Sequence, residues 1–407
     1  MILLTADRPA RLRGMGSNQT TEQVGIFADA VRACIDVSVP EMGEHDPSAL
    51  ALEAYSLAMG MQSTASGPVQ LNLQFQEPLS SAEPNSAELF AALDSTTPQH
   101  IADPLSQLTV SVDDQTVVIG GAGAGESAVK FAEAANLPLF AEPTSGARFG
   151  SCASEQYLAL LETDLGKAIN RVIVFGKPTL SRSVLKLIAR CETFVAKSPT
   201  HGHFDPFQNS LGFADVIIPV GTGSADWVAA WQQKPASSNS RRELASLIWN
   251  ATEPGEQLLF GASQIIREAE QVLPAKEILV YGNRGLAGID GTVATAIGLA
   301  QTGRKTRALV GDLTLLHDAS SLNLSGIEDI NIQVIVGNDH GGEIFKKLEV
   351  ASSVGPQQLA RLFLTPQDVD FSALANAYGW EYFKVLDLAD LEPLLKRSGK
   401  LLIDFQL

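Results

Sequence analysis

The sequence predicts an α/β protein built from parallel sheets flanked by helices. Three observations lead there. Apolar runs of strand length recur, each followed by a Gly-rich turn and then a helical stretch, as in "TVVIGGAGAGESAVKFAEAA" and "EILVYGNRGLAGIDGTVATAIGLAQ". Such repeated strand–loop–helix units imply right-handed crossovers and a parallel sheet. Several runs stop on Gly, and "ALVGDLTLLHD" stops on Gly311-Asp312, which reads as a buried strand delivering a carboxylate to a loop. Apolar residues make up 45% of the 407 and charged residues 18%, enough for sizeable cores.

The elements follow in order. Residues 1–80 hold a strand at Ile2–Thr5, a polar loop "GMGSNQTTEQVG", a helical stretch and a second strand "GPVQLNLQF". Residues 81–106, rich in Ser, Pro and Ala, read as a linker. A central α/β domain spans 107–235, with "RVIVFGKPTLSRSVLKLIA" and "FADVIIPVG" as further units and "QQKPASSNSRREL" as a second linker. The last domain, 236–407, contains "QLLFGASQIIREAEQVL", "ALVGDLTLLHD", "NIQVIVGNDHGGEIF" and a final strand "KLLIDFQL". In open parallel sheets ligands sit beyond the carboxyl ends of the strands.

A net charge of −17 argues against nucleic-acid binding, which wants a basic face. Anions would have to be held by local Arg clusters, a metal or helix N-termini. Cys34, Cys152 and Cys191 form no paired motif, so a reducing cytoplasm is expected. No apolar run reaches the roughly 18 residues of a membrane span. The opening "MILLTADRPARLRG" reads as a strand rather than a signal peptide.

Asp312 and Asp339 each follow an apolar strand and stand 339 − 312 = 27 residues apart, about one strand–crossover–strand unit. If the strands are neighbours, both carboxylates emerge at one end of the sheet. With Gly341-Gly342 beside them they suit a hard cation such as magnesium, which prefers oxygen ligands and is commonly shared with phosphates. Spacing alone leaves this open against two loop-capping aspartates, Asp312 capping the helix after it.

Gly-Asp, this gap, then Asn-Asp resembles the diphosphate–magnesium motif of thiamine-diphosphate enzymes. "RGLAGIDGTVATA", with "SNQTTEQVG", "GPVQLNLQFQEPL", "GASQIIRE" and "GGEIF", resembles the MenD family of menaquinone biosynthesis, from the first residues to the last strand. The resemblance implies the thiamine-diphosphate-enzyme fold, with 1–80 a partial pyrimidine-binding domain and 236–407 the diphosphate-binding domain. It implies a homo-oligomer, dimer or tetramer, with active sites between subunits. The implied reaction is a carboligation joining decarboxylated 2-oxoglutarate to isochorismate, with thiamine diphosphate and magnesium (or manganese) as cofactors.

Residue by residue, the resemblance assigns magnesium to Asp312, Asp339 and the carbonyl of Gly341. The diphosphate falls to Gly311, Asp312, Leu313 and Thr314. Ile289 would support the bent cofactor, and Ile344, Phe345 and Leu348 would wall the reacting carbon. Ser263, Arg267 and Arg284 match positions that hold substrate carboxylates, as planar guanidinium suits. Asn18 and Gln19 match a pair reaching substrate from the partner subunit, and Arg182 is a further candidate cation. The catalytic set is thus Ile289, Arg284, Arg267, Ile344 and Phe345.

Some positions depart from the family. Asp339 stands where many relatives carry Asn. Gln70, Gln74 and Gln76 replace residues that are often His, Pro and Arg, and His340 and Glu343 replace small or amide residues. The family's early Glu, which drives ylide formation, and an early Ser-Arg pair lie upstream of the "LLTADRP" strand, and Glu22 does not match that Glu. The expectation is an incomplete first domain and, for this chain alone, at best a trace of activity, from a truncated or degraded gene or a split enzyme.

Rival readings are another thiamine-diphosphate decarboxylase or acetolactate-type synthase, a non-catalytic cofactor-binding remnant, and an NAD-binding oxidoreductase. The last rests on "GAGESA", Gly123–Ala128, which fits a loose dinucleotide fingerprint with Glu142 at ribose distance. His201 and His203 are expected to be a solvated turn.

Overall fold

Strand β1 (Ile2–Asp7) opens the chain, followed by β2 (Ala33–Val37) and β3 (Val69–Gln74). They form a parallel sheet in the order β1-β3-β2. The helix Pro47–Met59 covers part of it. Asp46 caps that helix by accepting the Ser48 N–H, Pro47 occupies its first turn, and Gly60 at φ 74° ends it. Its Ala54 and Ala58 pack on Val69. Two departures from the family are structural here. Gln70 donates to Thr5 Oγ1 and the Gln23 carbonyl (3.1 and 2.9 Å). Gln74 accepts the Ala10 N–H and donates to Asp36 (2.9 and 3.2 Å).

This computed structural model describes residues 1–39, 46–61, 66–79, 105–197, 204–233, 238–327 and 329–407. The chain divides into two compact units, Met1–Asp103 and Pro104–Leu407.

In the second unit, β4 (Gln107–Ser111) is followed by β5 (Thr116–Gly120), β6 (Leu139–Ala141), β7 (Arg171–Phe175), β8 (Glu192–Ala196), β9 (Ser210–Ala214) and β10 (Val216–Val220). Five of them make a parallel sheet ordered β6-β5-β7-β8-β9, while β10 pairs with β4 apart from it. The segment "FADVIIPVG", expected as one strand, therefore passes between two sheets at Asp215, whose carboxylate accepts the Ser106 N–H (2.8 Å).

The last sheet contains β11 (Gln257–Phe260), β12 (Leu279–Gly282), β13 (Thr306–Gly311), β14 (Ile332–Asn338), β15 (Glu381–Val385) and β16 (Lys400–Gln406). Its order is β12-β11-β13-β14-β16-β15, all parallel. Both faces are buried, which is why its strands read as continuous apolar runs. Leu258, Phe260, Leu309, Ile335 and Ile403 share one core with helix Ser240–Ala251. Leu259, Ala308, Val310, Val334 and Leu402 share the other with helix Thr292–Ala300. No helix among the described residues is long and apolar enough to cross a membrane.

Candidate active site

From β11 the chain moves to one side to form β12, then returns to the other side to form β13. Such a reversal splays the loops at the strands' carboxyl ends and leaves a crevice between them. A cavity of about 260 Å³ lies there, lined by the turns after β11, β13 and β14. A larger recess, about 440 Å³, sits near the amino end of β13 among Lys305, Arg307 and Glu256. It is less suited to a ligand, because Arg307 is already spent on Glu256, the Gln333 side chain and the Leu395 carbonyl.

The register pairs Gly311 with Gly337, so β13 and β14 are neighbours and both deliver an aspartate to the cavity. Asp312 is not a helix cap. It is the first residue of helix Asp312–His317, whose cap position is Gly311. Its Oδ1 accepts the Leu313 N–H (2.8 Å), its Oδ2 is buried with no hydrogen bond of good geometry, and the Gly341 N–H also favours the charged form. Burial, then the charge of Asp339, pushes its carboxyl up to about 6. A buried carboxylate oxygen without a donor is rare and costly, and here it faces a cavity. Asp339 is also raised by burial, against the pull of Arg241, with which it is ion-paired.

Two glycines shape this end of the sheet. A Cβ on Gly311 would meet nothing nearer than 4.0 Å, so the strand end is open to a ligand. Gly341 lies at φ 148°, and a Cβ there would sit 2.5 Å from the Leu364 carbonyl oxygen. Two carboxylates, one oxygen of them orphaned, beside a glycine turn make a donor set that fits magnesium.

Leu313 and Thr314 line the cavity behind Asp312. Ile289, Ile344, Phe345 and Leu348 supply its apolar lining, and Phe345 tilts against Phe363 at 5.7 Å. Ser263 lines it too, while its Oγ caps helix Gln264–Ala269 by accepting the Ile265 N–H (3.1 Å). Of the family departures, Glu343 lines the cavity, and the His340 ring lies beside Gln367 and Gln406.

Arg267 and Arg284 lie outside the cavity lining, which does include Arg241. Arg284, 8% exposed, donates to the carbonyl and Oγ1 of Thr179 (3.3 and 3.1 Å), and its Nε is buried without a partner. Arg267 donates to the Leu180 carbonyl (2.9 Å). On the same loop Glu142 accepts the N–H groups of Thr179 and Leu180, each at 2.7 Å. Burial, then the nearby Glu270, raises the Glu142 carboxyl to about 8. Sequence reasoning missed this arrangement, since nothing local in "AEPTSG" announces it. Arg182 is exposed and paired with Glu349 (3.0 Å). In the first unit Asn18 and Gln19 are exposed, and Gln19 borders a recess with Asp7 and Arg8. His201 and His203 lie outside the described residues.

The Gly-rich turn after β5 does not form a nucleotide cradle. Ala122 and Lys177 exchange both backbone hydrogen bonds (3.0 and 2.9 Å), and the Gly125 N–H goes to the Ser145 carbonyl. A Cβ on Gly121 would stand 2.0 Å from the Pro178 nitrogen. The amides a diphosphate needs are thus committed to the neighbouring loop, and Glu142 faces backbone N–H groups rather than a ribose. Adding FAD, ADP or NAD is expected to leave the melting temperature unchanged; a concentration-dependent rise would reinstate a nucleotide site.

Comparison with known proteins bears on the last sheet first. Residues 261–402 match the family described as thiamine pyrophosphate enzyme, C-terminal TPP binding domain. A 2-succinyl-5-enolpyruvyl-6-hydroxy-3-cyclohexene-1-carboxylate synthase of Leifsonia xyli subsp. xyli is 38% identical, covering 97% of this chain and 78% of its own. The enzyme of the same name from Clavibacter michiganensis subsp. michiganensis is 37% identical, covering 98% and 78%. Benzoylformate decarboxylase from Polynucleobacter necessarius shares the fold, with a TM-score of 0.63 over 100% of this chain and 81% of that one, at 14% identity.

The fold and the matched C-terminal domain are those of a thiamine-diphosphate enzyme. Within that class, the chain belongs to the 2-succinyl-5-enolpyruvyl-6-hydroxy-3-cyclohexene-1-carboxylate (SEPHCHC) synthase family.

Proposed function

We propose that the chain joins decarboxylated 2-oxoglutarate to isochorismate to give SEPHCHC, a step of menaquinone biosynthesis, as a cytoplasmic homo-oligomer without nucleic-acid or membrane partners. The observation that supports this most is the orphaned Oδ2 of Asp312, which opens beside Asp339 and Gly341 into a cavity with an apolar wall. Asp312, Asp339 and the Gly341 carbonyl hold magnesium; Gly311, Leu313 and Thr314 line the diphosphate. The division of the second unit into a central domain, 107–235, and a diphosphate-binding domain, 236–407, belongs to the same reading.

When bound, thiamine diphosphate supplies the nucleophilic carbon at which a 2-oxo acid loses carbon dioxide. Ile289 supports the cofactor by packing. Ile344, Phe345 and Leu348 keep water from the reacting carbon and lower the local dielectric, which strengthens electrostatic contacts there. Arg267, Arg284 and Ser263 hold substrate carboxylates, joined by Asn18 and Gln19 of the partner subunit.

Incubation with thiamine diphosphate, magnesium, 2-oxoglutarate and isochorismate is expected to give a trace of SEPHCHC detectable by mass spectrometry, and pyruvate in place of 2-oxoglutarate no acetolactate. Acetolactate without SEPHCHC would assign the chain to the pyruvate-using synthases instead.

A further inference from the structure

The two carboxylates of the cavity are not equivalent. Asp312 has an oxygen with no partner, whereas Asp339 already carries a counter-ion. That counter-ion is Arg241, in the first turn of helix Ser240–Ala251, which also lines the cavity. The two side chains are 22% and 16% exposed, so the pair is largely withdrawn from water. The Arg241 Nε is buried and has no partner, leaving the guanidinium with unused donor capacity beside the cavity.

We propose that Arg241 is a further residue of the metal–diphosphate site, serving as the counter-ion of Asp339; this rests on the reading that Asp312 and Asp339 ligate the ion. Without a divalent ion, the guanidinium neutralises Asp339 and relieves its repulsion of Asp312. With the ion bound, the dication takes over that neutralisation, and the charge of Arg241 then favours the diphosphate. Aspartate at 339 and arginine at 241 together thereby add no net charge to the site.

Coulomb's law makes the signature distinctive, because removing Arg241 should help a bare cation and harm a polyanion. The test titrates Mn²⁺ alone by electron paramagnetic resonance and thiamine diphosphate at saturating magnesium by calorimetry. Arg241→Met keeps most of the aliphatic volume and drops the charge. It is expected to bind Mn²⁺ about 5- to 50-fold tighter and thiamine diphosphate about 5- to 50-fold weaker, as fits a partly exposed charged pair. Adding Asp339→Asn to Arg241→Met should move both affinities back toward wild type. Arg241→Lys, which keeps the charge, should stay within about threefold of wild type and serves if the Met variant folds poorly. Shifts in the same direction, or no shift while Asp312→Ala abolishes Mn²⁺ binding, would overturn the Arg241 role. Unchanged Mn²⁺ binding in Asp312→Ala would instead overturn the metal assignment beneath it.

Discussion

Asp312→Ala is expected to abolish magnesium-dependent binding of thiamine diphosphate while leaving the fold intact. Asp312 lies at the carboxyl end of a central strand, 2% exposed, with one oxygen held by a backbone N–H and the other unpartnered. Its side chain supports no helix cap and no ion pair, so truncation costs the fold only the bond to the Leu313 N–H. It does remove a carboxylate that burial already penalises. The melting temperature without metal should therefore stay the same or rise slightly. The ion, by contrast, loses one of two carboxylates, and the diphosphate loses the charge that neutralises it. Loss of outer-sphere support alone costs metal sites about 10- to 100-fold, so loss of a ligand should cost at least about 100-fold. Calorimetry with and without EDTA, beside a thermal melt, measures both effects. Unchanged cofactor affinity in a folded variant would remove Asp312 from the site.

Arg284→Ala should weaken productive use of substrate far more than cofactor binding. The guanidinium is buried and desolvation lowers its pKa, yet it retains an unpartnered Nε–H. A charge-assisted contact to a substrate carboxylate contributes about 1.5–3 kcal/mol, so its loss should cost roughly 10- to 150-fold. Lysine should not rescue it, since a point charge cannot reproduce a planar fork held by the carbonyl and hydroxyl of Thr179. Arg267→Ala should act the same way, its anchor being the adjacent Leu180 carbonyl. Steady-state kinetics with both substrates, set beside calorimetry of the cofactor, separates the two effects. Wild-type kinetics in both variants would show that these arginines only brace the 179–180 loop.

Legibility of the fold followed burial. The central strands β5, β7, β13 and β14 are buried on both faces, and their unbroken apolar runs announce them. The edge strands β2 (Ala33–Val37) and β15 (Glu381–Val385) are half-exposed, carry charges among their apolar residues and went unrecognised. For the same reason the strand ends on Asp312 and Asp339 could be read directly, because a buried strand fixes where its last residue emerges. Their common cavity depends on β13 and β14 being neighbours, which spacing alone left open and the register shows.

Contacts made across the fold could not be read that way. Arg241 reaches Asp339 from 98 residues away, and Arg284 reaches Thr179 across 105. Glu142, which a rival reading set at ribose distance, instead accepts the Thr179 and Leu180 N–H groups, on the loop whose Thr179 and Leu180 carbonyls receive the two arginines. The sequence alone determined the parallel-sheet class and the Gly-Asp and Asn-Asp strand ends, because backbone periodicity and burial act locally along the chain, whereas the residues expected around the cofactor came only from the resemblance to a known family. Only the tertiary structure decided which charged groups are already paired and which oxygen is left free. A long side chain chooses its partner by whatever charge or carbonyl lies within about 3 Å once the helices have packed, and no local pattern encodes that choice.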